Sequence, residues 1–313
     1  MQKIMQILDP SHENWVLGGI FRDLRIEDSR FYTNPIFLPP LNSIKHFKLW
    51  IISKRKASKQ PFLFFSSLTV LVNYSKFQQS KSQKIGLWFT HKDGNFTRSE
   101  IKALRYCDVV FVHSSAAKNQ IRLVNSAVRI VITLGAIKES RFPRPSNFGK
   151  GIVWVGTPSQ RKNPVLFLKI VRELGEFDFL LLGNGWLKSK FVTDMSSLPN
   201  LEYREISGPL TSSDFDGNSI ILVTSQLEGG PMPLLEGMAA GLTPVYTDCG
   251  FAKDLMDFLG QNFAPLNATS NDFIISIREK MENLNLASNQ RQHQMLTHLS
   301  FRRLADIIIN QFI

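Results

Sequence analysis

Short runs of consecutive apolar residues recur along this chain, separated by longer stretches of mixed polarity. That is the rhythm of strands buried on both faces and joined by helices. In the first half the strand candidates are 3–8 (KIMQIL), 61–73 (PFLFFSSLTVLVN), 84–90 (KIGLWFT), 108–114 (DVVFVHS) and 128–134 (VRIVITL). Helices are expected over 100–106 and 116–125, and a glycine-containing loop over 14–19 enters a further helix. A stretch rich in Pro and Gly, 142–151, reads as a linker between two domains. Beyond it, 219–224 (SIILVT) is a buried strand and 234–240 a short helix closed by Gly241. Near the end, Phe273, Ile277, Met281 and Leu284 share one helical face, and 301–312 forms a last helix. The pattern predicts an α/β protein built from parallel βαβ units.

A chain of 313 residues suits two domains of about 150 residues, each large enough for its own core. Cys107 and Cys249 are the only cysteines, which excludes a disulfide framework and a cysteine metal site and fits a reducing cytoplasm. The first ten residues lack the pattern of a cleaved signal, and the longest apolar run, 62–72, is too short to span a bilayer. Charge is uneven. Between residues 29 and 92 there are eleven basic residues and no acidic one, and the remaining 26 basic residues match the 26 acidic ones. The whole net charge of +11 therefore sits in this region, which should attract an anionic membrane surface or a nucleic acid. Within it, 41–56 can be drawn as a basic amphipathic helix with Ile44, Phe47, Trp50 and Ile51 on one side. Such a helix lies in a membrane interface or docks on its own domain.

The segment 228–241, Glu-Gly-Gly-Pro-Met-Pro-Leu-Leu-Glu-Gly-Met-Ala-Ala-Gly, is the one least like ordinary packing. Two carboxylates, Glu228 and Glu236, flank a Gly-Gly-Pro turn between a buried strand and a helix. A helix begun in this way points free N–H groups and the positive end of its dipole at the crevice above the strand ends, where an anion binds. Pro231 and Pro233 have no N–H, so the expected donors are Gly230, Met232, Leu234 and Leu235. Gly229 and Gly230 let a phosphate approach the backbone closely. Glu236, in the first helical turn, is suited to accept hydroxyl hydrogens, as from a ribose.

The run 228–250 resembles the E-x7-E segment of family-4 retaining glycosyltransferases of the GT-B fold. The resemblance implies two Rossmann-like domains, 1–145 and 146–313, with parallel sheets facing a cleft and a last helix, about 300–313, crossing back to the first domain. It also implies transfer of a sugar from a nucleoside diphosphate sugar to a glycan or lipid-linked acceptor, with no metal and no other cofactor. Carried over residue by residue, Glu228 contacts the donor sugar and Glu236 the ribose. The segment 152–163 resembles the first strand and diphosphate-clamping loop of the family's second domain, with Lys162 on the lysine position. Thr157 stands where the family carries an arginine, and Arg161 is the candidate to supply that charge. The run 179–185 resembles the second strand and its G-x-G turn, with Gly183 beside the donor. By the same likeness 200–210 lies beside the base, with Ser207 and Gly208 as contacts.

In the first domain, Gly18 and Gly19 stand where the family has its acceptor-side glycine loop, although two glycines also serve a simple turn. His91 follows a strand end, where α/β folds bind ligands, and resembles the histidine the family presents to the donor sugar. Asp93 is a candidate contact for the acceptor hydroxyl. The expected place of action is the cytoplasm, with peripheral attachment to the inner face of a membrane through 29–92. Two rivals stand beside this reading: a non-catalytic GT-B protein that binds a glycan or a partner, and a basic nucleic-acid-binding protein. The second lacks any recognition motif, so no nucleic acid is expected.

Overall fold

A computed structural model describes residues 3–8, 16–35, 51–52, 55–75, 83–144, 146–147, 149–206, 208–260, 269–283 and 288–312. The chain divides into two compact units, Met1–Ala136 with Phe301–Ile313, and Ile137–Ser300. Most of 41–56, the amphipathic-helix candidate, lies outside the described residues.

The first unit holds six parallel strands: β1 Ile4–Leu8, β2 Phe31–Pro35, β3 Phe62–Phe65, β4 Lys84–Phe89, β5 Val109–Val112 and β6 Arg129–Ile132, in the order β2-β1-β3-β4-β5-β6. Alternation along each strand divides its residues between two cores. Met5, Leu63, Phe65, Val110 and Val112 face one, and Ile4, Phe62, Phe64, Val109 and Phe111 the other. Helices α2 Leu68–Ser75, α3 Arg98–Leu104 and α4 Ser115–Val124 contribute to the former. Helix α1 Val16–Glu27 contributes to the latter, together with α11 Phe301–Phe312, whose Leu304, Ile308 and Phe312 are buried there. The Phe312 ring meets Phe62, Phe64 and Phe111 at centroid distances of 5.8, 6.4 and 6.4 Å, and Lys84 Nζ donates to the Phe312 carbonyl at 2.9 Å.

The run 61–73 is not one strand. It breaks at Ser66 and Ser67 into β3 and α2: the Ser66 N–H continues the ladder to the Ile7 carbonyl at 3.0 Å, and the Ser67 hydroxyl accepts from the Val70 N–H at 3.4 Å. Both pieces are buried, so apolar content alone does not separate strand from helix. Gly18 and Gly19 stand in the first turn of α1 rather than in a loop before it.

The second unit is a five-stranded parallel sheet of β7 Gly151–Val155, β8 Phe179–Leu182, β9 Leu201–Arg204, β10 Asn218–Val223 and β11 Thr243–Tyr246, in the order β11-β10-β7-β8-β9. The chain runs outward from β7 on one side and from β10 on the other, which puts the topological switch point between these two strands. Helices α5 Pro164–Glu173, α6 Val192–Ser196, α7 Met232–Ala239, α8 Ala252–Leu259, α9 Ser270–Glu282 and α10 Ser288–His298 complete it. Trp154 on β7 stacks on Phe167 of α5 at 4.9 Å and meets Trp186 edge-on at 5.5 Å. Helix α7 lies so close to β10 that a Cβ on Gly237 would stand 2.6 Å from Ile221 Cβ.

A Cβ at Gly86 would stand 2.5 Å from Phe312 Cζ. Gly86→Ala should therefore cost about 1–3 kcal/mol by overpacking, and Phe312→Ala about 3–5 kcal/mol through its cavity. Urea denaturation of the single and double variants should give a double-variant cost well below the sum, because removing the ring makes room for the methyl group. A fully additive double variant would contradict the packing of α11 on this sheet.

Candidate functional site

The carboxyl ends of β7 and β10 bring the candidate chemistry of the second unit to its switch point. After Gly156 the chain makes a turn whose last residues, Arg161 and Lys162, lie in a short 3-10 helix. Asn163 then takes a left-handed conformation (φ 54°), which an asparagine tolerates, and its side chain caps α5 through the Leu166 N–H at 3.4 Å. Two tethers hold this turn to the end of β10: the Gln226 N–H donates to the Arg161 carbonyl at 2.8 Å, and the Thr224 hydroxyl to the Lys162 carbonyl at 2.9 Å. Thr224 in turn accepts from Trp154 Nε1 at 3.0 Å.

The turn so fixed carries Lys162 to Glu228. Lys162 Nζ lies 2.6 Å from Glu228 Oε1, the Ser225 hydroxyl donates to the same oxygen at 3.0 Å, and an Arg161 guanidinium nitrogen stands 3.9 Å from Oε2. Glu228 is 8% exposed and Arg161 half-exposed. A charge that buried requires compensation, and here both carboxylate oxygens have it. Sequence reading found Glu228, Lys162 and Arg161 but missed Ser225, Thr224 and Trp154. The signal available was position: Thr224 and Ser225 directly follow the last residues of a buried strand.

Past Glu228, Pro231 (φ −73°, ψ 80°) forms an inverse γ-turn in which the Met232 N–H donates to the Gly230 carbonyl at 2.8 Å. The Leu234 N–H donates to the Pro231 carbonyl at 2.8 Å. The expectation that Met232 and Leu234 offer free donors is thus corrected, because the proline turn takes both. Among the described residues no backbone carbonyl accepts from the Gly229 or Gly230 N–H. Leu235 is buried in the first turns of α7. Gly250 closes the loop from behind with φ 57°, where a Cβ would stand 3.0 Å from the Glu228 carbonyl.

Glu236 is partly accessible and lies under the electrostatic influence of Arg141, Lys162 and Asp214. Burial pushes its carboxyl up to about 7, with Arg141 and Lys162 pulling it down and Asp214 adding to the rise. Burial likewise pushes the Cys249 thiol up to about 12, which leaves it inert beside the loop.

Gly183 has a packing reason of its own, since a Cβ there would stand 1.9 Å from the Gly156 carbonyl oxygen. The same carbonyl accepts from Trp186 Nε1 at 2.8 Å. Gly208 has open space around it, Thr157 is exposed, and Ser207 lies outside the described residues. In the first unit His91 Nε2 lies 3.9 Å from Asp93 Oδ1, and among the described residues its buried Nδ1 has no hydrogen-bond partner. Burial, with His91 nearby, pushes His113 down to about 4, and that ring meets Trp88 edge-on at 4.9 Å. Among the described residues no group of three or more His, Cys, Asp or Glu is arranged to hold a metal ion, and no helix is long and apolar enough to cross a membrane.

No protein-family profile matches the chain, and no curated protein is significantly similar to it in sequence. Solved structures are similar in fold. The complex of Anabaena HepE with UDP superimposes with a TM-score of 0.76 at 10% identity over 99% of both chains. The lipopolysaccharide outer core galactosyltransferase WaaB gives 0.72 at 16% identity over 99% of this chain and all of that one. The S. aureus TarM complex with UDP and a GlcNAc-glycerol gives 0.64 at 17%, with 80% of this chain covering 55% of that one. The chain has the GT-B fold.

The Glu236 shift gives a pH test of the site. The group binds its proton more tightly in the folded than in the unfolded chain, so its ionised form opposes folding. The contribution is most favourable below about pH 4.5 and falls as pH rises toward 7. Urea denaturation at pH 5.0 and 7.5 should show wild type losing roughly 1–3 kcal/mol more than Glu236→Gln over that interval. Parallel losses would place Glu236 in a solvated environment instead.

Proposed function

We propose that the protein is a retaining glycosyltransferase of the family-4 kind, moving a sugar from a nucleoside diphosphate sugar to a glycan or lipid-linked acceptor. The observation that carries this reading is the buried Lys162–Glu228 pair beside the Gly229 and Gly230 amides at the β7/β10 switch point. A sugar diphosphate matches that set. Its phosphates suit Lys162, Arg161 and the amides, its sugar hydroxyls suit Glu228, and its ribose hydroxyls suit Glu236. As the bond from the anomeric carbon to the diphosphate breaks, the electron pair goes to the phosphate oxygen, where the Lys162 charge stabilises it. The acceptor hydroxyl oxygen bonds to the same carbon while its proton passes to the departing phosphate oxygen. His91, Asp93, Gly18 and Gly19 are the first unit's candidates for the sugar and acceptor, and Gly183, Ser207 and Gly208 those for the nucleotide. The family resemblance implies no metal, with Lys162 and Arg161 as the cations that meet the phosphates.

That HepE has been crystallised with UDP-glucose and TarM with UDP favours a uridine donor. Thr157 supports a second reading, a GT-B protein that binds a glycan or partner without turnover, because it supplies no charge where the family has an arginine.

A thermal-shift screen against UDP-, GDP-, ADP- and CDP-sugars separates the two. One base should stabilise the protein by about 2.7 kcal/mol at a hundred times its Kd, and Glu236→Ala should abolish the shift. Lys162→Met should lower transfer from that donor about 10²–10³-fold. No shift with any nucleotide sugar would favour the non-catalytic reading.

Peripheral attachment to an anionic membrane through 29–92 is part of the proposal, weakened by local pairing. Arg30 binds Asp28, Lys92 binds Glu100 at 3.0 Å, and Lys84 holds the Phe312 carbonyl, whereas Arg55, Lys56 and Lys59 are exposed. Anionic vesicles should sediment the protein at low salt and release it at high salt. Equal sedimentation with neutral vesicles would remove the electrostatic part.

A further inference from the structure

The ammonium that a donor diphosphate requires already holds an anion of its own chain. Lys162 Nζ sits 2.6 Å from Glu228 Oε1, with both side chains largely buried. The two ends of this pair differ in freedom. The carboxylate has a second anchor in the Ser225 hydroxyl, at 3.0 Å, and its backbone is hemmed in by Gly250, where even a Cβ would press on the Glu228 carbonyl. The ammonium rides on a flexible four-carbon stem, and the hydrogen bonds that hold its turn, from Thr224, from Gln226 and to Ser159, fix backbone atoms of the turn and not the ammonium. When an outside anion arrives, the stem can swing while the carboxylate stays.

We propose that Glu228 is a fixed internal competitor of the donor's diphosphate, and that it makes the site prefer the nucleotide sugar to the nucleoside diphosphate left after transfer. This rests on the nucleotide-sugar reading above. A carboxylate held within a few ångström of the phosphates repels them, the more so where water is excluded. A donor with its sugar offsets that repulsion, because the sugar hydroxyls give the carboxylate the hydrogen bonds that Lys162 withdraws. The product's diphosphate offers acceptors only, so it does not replace the contact that Lys162 withdraws and leaves the buried carboxylate with Ser225 and Arg161 alone. One negative charge thereby discriminates between two ligands that share base, ribose and both phosphates, and it eases departure of the product. Arg161, 3.9 Å from Oε2 and half-exposed, remains beside the carboxylate throughout.

Calorimetric titration of the full chain with UDP and with UDP-glucose, or with the pair carrying whichever base stabilises the protein, tests the inference. Glu228→Gln keeps the size and an acceptor oxygen but removes the charge. It should tighten UDP about tenfold while leaving UDP-glucose unchanged or weaker, so that the preference for the conjugate falls by tenfold or more. Ser225→Ala, which keeps the charge but frees the carboxylate to follow the ammonium, should reduce the same preference and serves where the Gln variant folds poorly. If Glu228→Gln weakens UDP as much as UDP-glucose, Glu228 positions Lys162 for the phosphates and the inference is overturned. Equal affinity of wild type for the two ligands overturns it as well. If wild type binds neither, with any base, the nucleotide-sugar reading falls and this inference falls with it.

Discussion

A carboxylate taken out of water has to be matched, and the second unit is arranged around matching Glu228. An isolated buried charge of that kind costs several kcal/mol, more than most single contacts in a protein return. Glu228 escapes the cost because a lysine, an arginine and a serine hydroxyl converge on it. Each of those groups is delivered by backbone geometry. Lys162 and Arg161 arrive on a 3-10 turn ended by a left-handed asparagine, and Ser225 is the second residue past the end of β10.

That delivery depends on two strands ending at the same height. β7 and β10 are neighbours, paired from Ile152↔Ile220 to Trp154↔Leu222, and the Trp154 indole reaches across to the Thr224 hydroxyl. Thr224 passes the constraint to the Lys162 carbonyl. On the other side of β7, the end of β8 comes so close that Gly183 has no room for a side chain against the Gly156 carbonyl. A glycine that motif resemblance assigns to a ligand is thus already required by packing, where strand ends crowd.

The parallel α/β class and most strands were legible because a strand buried on both faces is a nearly continuous apolar run, as at β5, β8 and β10. The same feature misled at 61–73, where a strand and a buried helix follow one another with only two serines between them. β2, Phe31–Pro35, left little trace, since its sequence FYTNP has neither an apolar run nor clean alternation. At the site, Glu228, Lys162 and Glu236 were legible because charged residues beside glycines and buried strands are chemically conspicuous. Ser225 and Thr224 were not, because a serine or threonine at a strand end looks the same whether it holds a buried carboxylate or faces solvent. The Met232 and Leu234 amides were misread for a related reason: prolines remove donors of their own, but the turn they impose also consumes the donors of their neighbours.

The two glutamates of one motif end in opposite electrostatic situations. Glu228 is held by contact: Lys162 and the Ser225 hydroxyl meet one of its oxygens, and Arg161 stands 3.9 Å from the other. Glu236 feels Arg141 and Lys162 only at a distance, with Asp214 against it, and burial keeps its proton on to about 7. Near neutrality it is divided between a form that donates and a form that only accepts. Eight residues of spacing across a proline turn therefore produce one carboxylate set by direct contact with its neighbours and one set mainly by burial.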